Sequence, residues 1–197
     1  MQEPSANTAD VTFLVEAWAR GDDEAFEQLL PHVYRQLNQS ARMLLSRESS
    51  DHTLEPTELV HEVCLRLWDF VPAQAPSNRH QFRRLAITAM RRLLVDHARQ
   101  KAAEYRGGQV QRAPWTEALM VTLGQRLNPY NLVDLHRAME QLRELDPLGH
   151  DVVELRFWGG LTYDEIADVL DTSREAVRSK WRACRPLLLR LMPTADA

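Results

Sequence analysis

The sequence predicts an all-α protein made of two small helical domains joined by a flexible linker. Three observations carry that prediction. Apolar residues recur at three- and four-residue spacing along most of the chain, the signature of amphipathic helices. That periodicity fades over residues 104–131, where Gly107-Gly108, Pro114 and Asn128-Pro129 are breaker signals. Residues 161–182 then read as two short helices around a tight turn, the pattern of a helix-turn-helix. A chain of 197 residues suits one ordinary domain or two small ones. The expected division is a domain over residues 8–103, a linker over 104–131 and a second domain over 132–193.

The elements follow in order. From Asp10, the residues Val11, Leu14, Val15 and Trp18 share a helical face, and Arg20-Gly21-Asp22 ends the helix. A second helix over residues 23–46 carries Phe26, Leu29, Leu30, Val33, Leu37, Ala41 and Leu44 inward, with Pro31 as an expected kink. After a polar loop, Pro56 opens a third helix over residues 56–70, whose buried face is drawn from Leu59, Val60, Val63, Leu67 and Phe70. A fourth spans residues 79–103, with Phe82, Leu85, Ala86, Ala89, Leu93 and Val95 set among basic residues. In the linker, Met120-Val121-Thr122-Leu123 is a candidate short ordered piece. Helices resume over residues 133–145 and 149–158, stopped by Gly159-Gly160.

The helix-turn-helix is the most informative stretch. Thr162 and Glu165 have the spacing of a capping box, and Ile166, Ala167 and Leu170 share the face behind it. Asp171 holds the turn position where Gly is usual. Thr172 or Ser173 caps the second helix, whose Val177, Trp181, Cys184 and Leu188 recur at helical spacing. Pro186 is a candidate kink or restart. With that face buried, the other presents Arg174, Glu175, Arg178, Ser179 and Arg182, flanked by Lys180. Arg can read guanine edges bidentately, Glu can accept from cytosine, and Lys can hold phosphates, so this surface suits a DNA major groove.

Composition narrows the alternatives. No apolar run approaches the roughly 20 residues that span a bilayer, so no membrane association is expected. The N-terminal residues lack the basic start and apolar core of a signal peptide, and the expected location is the cytoplasm. Cys64 and Cys184, far apart within apolar patterns, read as buried free thiols. His61-Glu62 resembles the start of a zinc-protease motif, but the position four after His61 is Leu65, and no metal or cofactor is expected. With no Gly-rich phosphate loop or nucleophile motif either, an enzyme is not expected. The net charge is −4, yet its distribution is uneven: residues 79–112 hold nine Lys or Arg against two acids, Asp96 and Glu104. Residues 1–30 and 48–69 are mostly acidic. Such segregation suits a protein that meets DNA with one face and a basic protein surface with another.

At this point the chain resembles a bacterial sigma factor of the extracytoplasmic-function group, the smallest sigma-70-type architecture, over most of residues 10–190. The stretch from Glu58-Leu59-Val60-His61-Glu62-Val63 to Trp68 resembles the family's helix that docks on the polymerase clamp. Phe82-Arg83-Arg84-Leu85-Ala86 through Leu93-Leu94-Val95-Asp96-His97-Ala98-Arg99 resembles its promoter-melting, minus-ten-reading helix. The helix-turn-helix resembles its minus-thirty-five module. The resemblance implies core RNA polymerase and promoter DNA as partners, and a chain that is monomeric when free. It implies polymerase contacts from Glu55, Glu58, His61, Glu62 and Arg66, and minus-ten contacts from Arg83, Arg84, Arg91, Arg92, His97 and Arg99. The family often has Asn where this chain has Arg92, which implies a different minus-ten preference.

Many relatives carry an acidic cluster, close to DAED in one-letter form, before the docking helix, where this chain has Glu55-Pro56-Thr57-Glu58. Phosphorylation of Thr57, with Thr53 as second candidate, would supply the missing charge in a helix's first turn, where negative charge is favoured. The alternative is that Thr57 merely caps or fills the helix start. The resemblance therefore leaves control open between a Ser/Thr kinase, an anti-sigma factor and neither. The rival reading from another class is a helix-turn-helix transcriptional regulator with an N-terminal sensing domain, which would dimerise on a two-fold site.

Overall fold

The computed structural model describes residues 8–45, 54–68, 76–104 and 129–193. Among these the architecture is all-α, as expected. The interior of the expected linker, with its piece at residues 120–123, lies outside the described residues, as do Thr53 and Phe70.

Helix α1 (Thr8–Ala19) ends where Gly21 turns the chain at a φ of 93°, a value only glycine adopts freely. Asp22 then caps α2 (Asp23–Leu45) by accepting from the Ala25 N–H at 3.2 Å. Pro31 does not divide α2. Pro31 and Glu27, whose carbonyl loses its hydrogen bond, are both on the exposed side, so water satisfies what the helix cannot.

Helix α3 (Pro56–Trp68) buries Leu59, Val60, Val63 and Leu67. Helix α4 (Arg79–Glu104) starts at Asn78, whose side-chain oxygen accepts from the N–H groups of His80 at 3.0 Å and Gln81 at 2.9 Å. Trp18, Phe26, Phe82 and Trp68 join these four helices, with ring centroids 5.0 Å apart for Trp18 and Phe26 and 5.8 Å for Trp18 and Phe82.

From residue 129 come α5 (Pro129–Leu145) and α6 (Pro147–Val153), which continues into a π-helical turn at Glu154–Trp158. Asp146 caps α6 through the Gly149 N–H, so this helix starts two residues earlier than the periodicity suggested. Helices α7 (Tyr163–Leu170) and α8 (Arg174–Leu191) complete the chain. Pro186 neither breaks nor restarts α8: Pro186 and Arg182, four residues before it, are both exposed.

The apolar interior forms one continuous cluster, running from Val15, Phe26 and Leu29 through Met90 and Leu94 to Trp158, Ile166 and Leu188. Helix α4 is the shared wall: α1–α3 pack on one side, and α5, the π turn and α7 on the other. Gly159 sits where the halves meet. Its carbonyl accepts from the Ser40 hydroxyl at 3.2 Å, and an added Cβ would lie 2.5 Å from the Ile87 Cδ1. A side chain at Gly160 would likewise strike the Met43 sulfur.

Candidate nucleic-acid interface

The helix-turn-helix is held by the local chemistry its sequence encodes. Thr162 Oγ1 accepts from the Glu165 N–H at 3.2 Å, and the Glu165 carboxylate accepts from the Thr162 N–H at 2.8 Å, the reciprocal bonds of a capping box. The Glu165 carboxyl is held below its ordinary value: burial raises it, but Thr162 and Arg83 outweigh burial. Asp171 takes the left-handed turn itself at a φ of 49°, a region Asp visits more readily than most residues. Ser173, not Thr172, caps α8, accepting from the Ala176 N–H at 3.1 Å. Val177, Trp181, Cys184 and Leu188 are buried as the periodicity required.

The opposite face of α8 leaves Arg174, Glu175, Arg178, Ser179 and Arg182 exposed side by side. Lys180 departs from them. Its Nζ donates to both oxygens of Asp146, at 2.9 and 2.8 Å, so it ties α8 to the start of α6 instead of facing outward. Burial raises the Asp146 carboxyl, but Lys180 and the Gly149 N–H bring it below its ordinary value.

Beside the exposed stripe lies a cavity of about 430 Å³ lined by Arg156, Tyr163, Arg174, Arg178, Trp181, Arg182 and Arg185. Arg156 donates to the Leu161 carbonyl at 2.6 Å, and its guanidinium lies 4.9 Å from the centre of the Tyr163 ring. The Nε atoms of Arg156 and Arg185 are buried and have no partner among the described residues. A concave site lined by five guanidinium groups, with two N–H donors unsatisfied among the described residues, offers donors of the kind that phosphate oxygens accept from. Sequence reasoning missed Arg156, Tyr163 and Arg185. Arg185 continues the stripe from Arg174 and was legible by spacing, whereas Arg156 comes from the π turn, which has no recognisable sequence signature.

On α4 the six basic candidates separate. Arg92 and Arg99 are exposed, the latter 3.5 Å from Asp96, and His97 Nε2 lies 3.6 Å from a Glu62 oxygen. The other three meet acids from the C-terminal half: Arg83 pairs with Glu165 at 3.1 Å and Arg84 with Asp151 at 2.5 Å. Arg91, expected on an open DNA-facing surface, is 1 % exposed, because it donates to Glu154 at 2.8 Å and to Glu140 at 3.1 Å. Its Nη1 also lies 2.6 Å from His136 Nδ1. Arginine can only donate, so this ring nitrogen accepts and the imidazole is neutral. Burial, then the charge of Arg91, lowers the His136 pKa to match. Glu140 is raised by burial and lowered further by Arg91 and Arg143.

His150, Asp151 and Glu154 bring three donor atoms within 4.8 Å of one another, but the two carboxylates already neutralise Arg84 and Arg91, so the cluster works as an ion-pair network. Burial, then Asp146, pushes the Cys184 thiol up to about 11, and burial raises Cys64, so both stay protonated. Cys64 is only half-buried.

On α3, Glu55, Glu58, His61 and Arg66 are exposed and Glu62 is half-buried. The Glu58 carboxylate accepts from the Glu55 N–H at 2.8 Å, and Arg66 reaches Asp96 of α4 at 3.3 Å. Thr57 is exposed in the first turn, where Glu58 does the side-chain capping. Leu65, at 66 % exposure, and Trp68, at 41 %, share this outward side, an apolar component the charge pattern hid. No helix among the described residues is long and apolar enough to cross a membrane.

A family model described as "ECF sigma factor" matches residues 8–192. Among solved structures the chain is similar to one titled "Structure of CnrH in complex with the cytosolic domain of CnrY", at 22% identity, with 92% of this chain and 96% of that chain covered and a TM-score of 0.38. No curated protein matches.

Proposed function

We propose, from the premise that this chain belongs to the extracytoplasmic-function (ECF) sigma factor family, a division of labour among its helices. As a sigma factor it supplies promoter recognition to core RNA polymerase, and the polymerase performs the chemistry. Residues 8–103 form the part that docks on polymerase and handles the minus-ten element, and residues 132–193 the part that reads the minus-thirty-five element. The observation that carries this reading is the arginine-lined face of α8 on a fully capped helix-turn-helix. Arg174, Glu175, Arg178, Ser179 and Arg182 meet base edges, while Arg156 and Arg185 hold backbone phosphate in the cavity beside them. Lys180 is reassigned to holding α8 on α6.

Helix α3 presents Glu55, Glu58, His61, Glu62 and Arg66 to a basic polymerase surface, with Leu65 as the apolar contact at its centre. Helix α4 engages the melted strand through its cations, as single-strand binding requires. The free chain is a monomer. Control acts on α3 through phosphorylation of Thr57, an exposed hydroxyl at the positive end of a helix, where a phosphate of charge about −1.5 to −2 is favoured. An anti-sigma factor covering the same surface is the competing form of control, since it needs no change at Thr57.

The test is a co-purification and run-off transcription assay with core polymerase, comparing wild type, Thr57→Ala, Thr57→Glu and Arg178→Ala/Arg182→Ala. Core binding by wild type or Thr57→Glu, with promoter-specific transcripts lost in the arginine variant, supports the division of labour. Equal core binding by all Thr57 forms removes the phosphorylation switch and leaves the sigma role standing.

A further inference from the structure

The cavity beside the helix-turn-helix gathers cations without acids. Its five arginines share the lining with Tyr163 and Trp181 and with no carboxylate. Arg83, Arg84 and Arg91 of α4, by contrast, each meet an acid at 3.1 Å or less. Of the cavity's five, Arg174 has a carboxylate nearby, Asp164 at 3.5 Å, and both of those side chains are exposed. Arg156, Arg178, Arg182 and Arg185 form no ion pair among the described residues. Like charges held together repel, so a ligand that neutralises them is favoured. An acceptor drawn in beside the buried Nε atoms of Arg156 and Arg185 also satisfies donors that have no partner among the described residues.

Size and spacing decide which anion fits. A volume of about 430 Å³ falls within the range of small-molecule sites, about 300–1,000 Å³, and is more than one phosphate fills. Arg178, Arg182 and Arg185 follow one another at four- and three-residue spacing on one face of α8, over a rise of about 10 Å along its axis. A single phosphate cannot reach guanidiniums set along that length. In a nucleic-acid strand a sugar separates successive phosphates, whereas in a linear polyphosphate one bridging oxygen joins them. Four cations without ion pairs in one cavity match the roughly four negative charges of a triphosphate at neutral pH. We propose that the cavity is a site for a free linear triphosphate, inorganic or carried on a nucleoside, and that its occupation keeps the minus-thirty-five duplex off α8. Binding of the triphosphate stands on the cavity alone. The exclusion rests on the duplex-reading role proposed above, since Arg174, Arg178 and Arg182 belong both to the cavity and to the exposed stripe.

The test is isothermal titration of the full-length protein with inorganic triphosphate, orthophosphate and ATP, at matched ionic strength and without divalent cations. Triphosphate is expected to bind one site about tenfold tighter than orthophosphate or better, because it engages several guanidiniums at once. Arg182→Ala/Arg185→Ala is expected to weaken it by about tenfold, and Arg92→Ala/Arg99→Ala, an equal loss of charge from exposed positions on α4, by less than about twofold. Circular dichroism checks that both variants keep wild-type helicity, and the comparison of triphosphate with orthophosphate needs neither. No preference for triphosphate, or equal weakening by the two variants, means diffuse attraction to a cationic surface and refutes the site. Equal affinity for ATP assigns recognition to the phosphate chain, and tighter binding of ATP adds the nucleoside; either result upholds the site. Exclusion is read from the anisotropy of a fluorescein-labelled duplex that carries the minus-thirty-five element and stops short of the melted region, bound to holoenzyme. Triphosphate at ten times its dissociation constant is expected to weaken that binding by about tenfold, and unchanged binding refutes the exclusion. If Arg182→Ala/Arg185→Ala loses triphosphate yet binds the duplex as wild type does, the duplex-reading role fails, the exclusion with it, and the triphosphate site stands.

Discussion

Arg91→Met probes the energetic centre of the contact between the two halves. The guanidinium is 1 % exposed and Glu154, its nearest acidic partner at 2.8 Å, is 9 % exposed. Removing the cation leaves a carboxylate with almost no water to turn to, and breaking a buried pair from one side costs about 3–5 kcal/mol. Glu140 adds little, since its side chain is 35 % exposed and a pair of that kind is worth under about 1 kcal/mol. In urea, with a slope of about 3 kcal/mol/M for a chain of this size, the unfolding midpoint is expected to fall by about 1–1.7 M.

The companion variant Arg91→Met/Glu154→Met removes both charges and keeps the volume. It is expected to return to within about 1 kcal/mol of wild type, because a buried pair barely repays its own desolvation. A single variant within about 1 kcal/mol of wild type would mean that Glu154 finds water once Arg91 is gone, and would refute the reasoning. A double variant as unstable as the single would refute it equally.

Gly159→Ala places a Cβ 2.5 Å from Ile87 Cδ1 and 2.7 Å from the Leu155 carbonyl oxygen, and the backbone contact cannot yield, so a loss of about 1–3 kcal/mol is expected in the same urea titration. Arg178→Ala and Arg182→Ala are each expected to weaken holoenzyme binding to promoter duplex; where the lost contact is to phosphate, the slope of log K against log salt falls by about 1, and a base contact leaves it unchanged. His136 governs a pH effect. Its pKa in the folded chain lies below its ordinary 6.5, because burial and Arg91, with Arg92 and Arg99 behind it, outweigh Glu140. The unfolded chain therefore takes up this proton first as pH falls, so the contribution is complete above 6.5 and is lost progressively below it. His136→Gln is expected to flatten that segment of the stability profile, measured by urea midpoints across the window. Glu140, shifted downward, stays ionised there and does not mask the effect.

What the sequence made legible was the local chemistry. The capping box of Thr162 and Glu165, the turn at Asp171 and the buried stripe from Val177 to Leu188 are set by residues within a few positions of each other. The start of α3 at Pro56 and of α4 at Arg79 followed for the same reason. The π turn at Glu154–Trp158 did not, since a single inserted residue leaves the apolar spacing almost helical. Pro31 and Pro186 sit inside continuous helices, because a proline's cost depends on whether water reaches the carbonyl it orphans, and exposure is a tertiary property. The charge run on α4 was legible only as charge: Arg91 and Arg92 are neighbours in sequence, yet one is enclosed by acids and the other is exposed. Lys180 belongs to the same class, being placed by an aspartate 34 residues away.

The order in which the contact opens follows from its gradient of burial. At the N-terminal end of α4 the Arg83–Glu165 pair is 26 % and 43 % exposed and the Arg84–Asp151 pair 40 % and 23 %, whereas Arg91 and Glu154 are 1 % and 9 % exposed. Salt screens pairs that water already reaches, so the Arg83 and Arg84 pairs loosen first. Arg91 is released only when α5 and the π turn separate from α4 altogether, since its partners sit on those elements. The outer pairs thus set how easily the chain begins to open, and Arg91 sets whether opening is complete. Arginine serves at both depths, because its charge persists at either depth of burial.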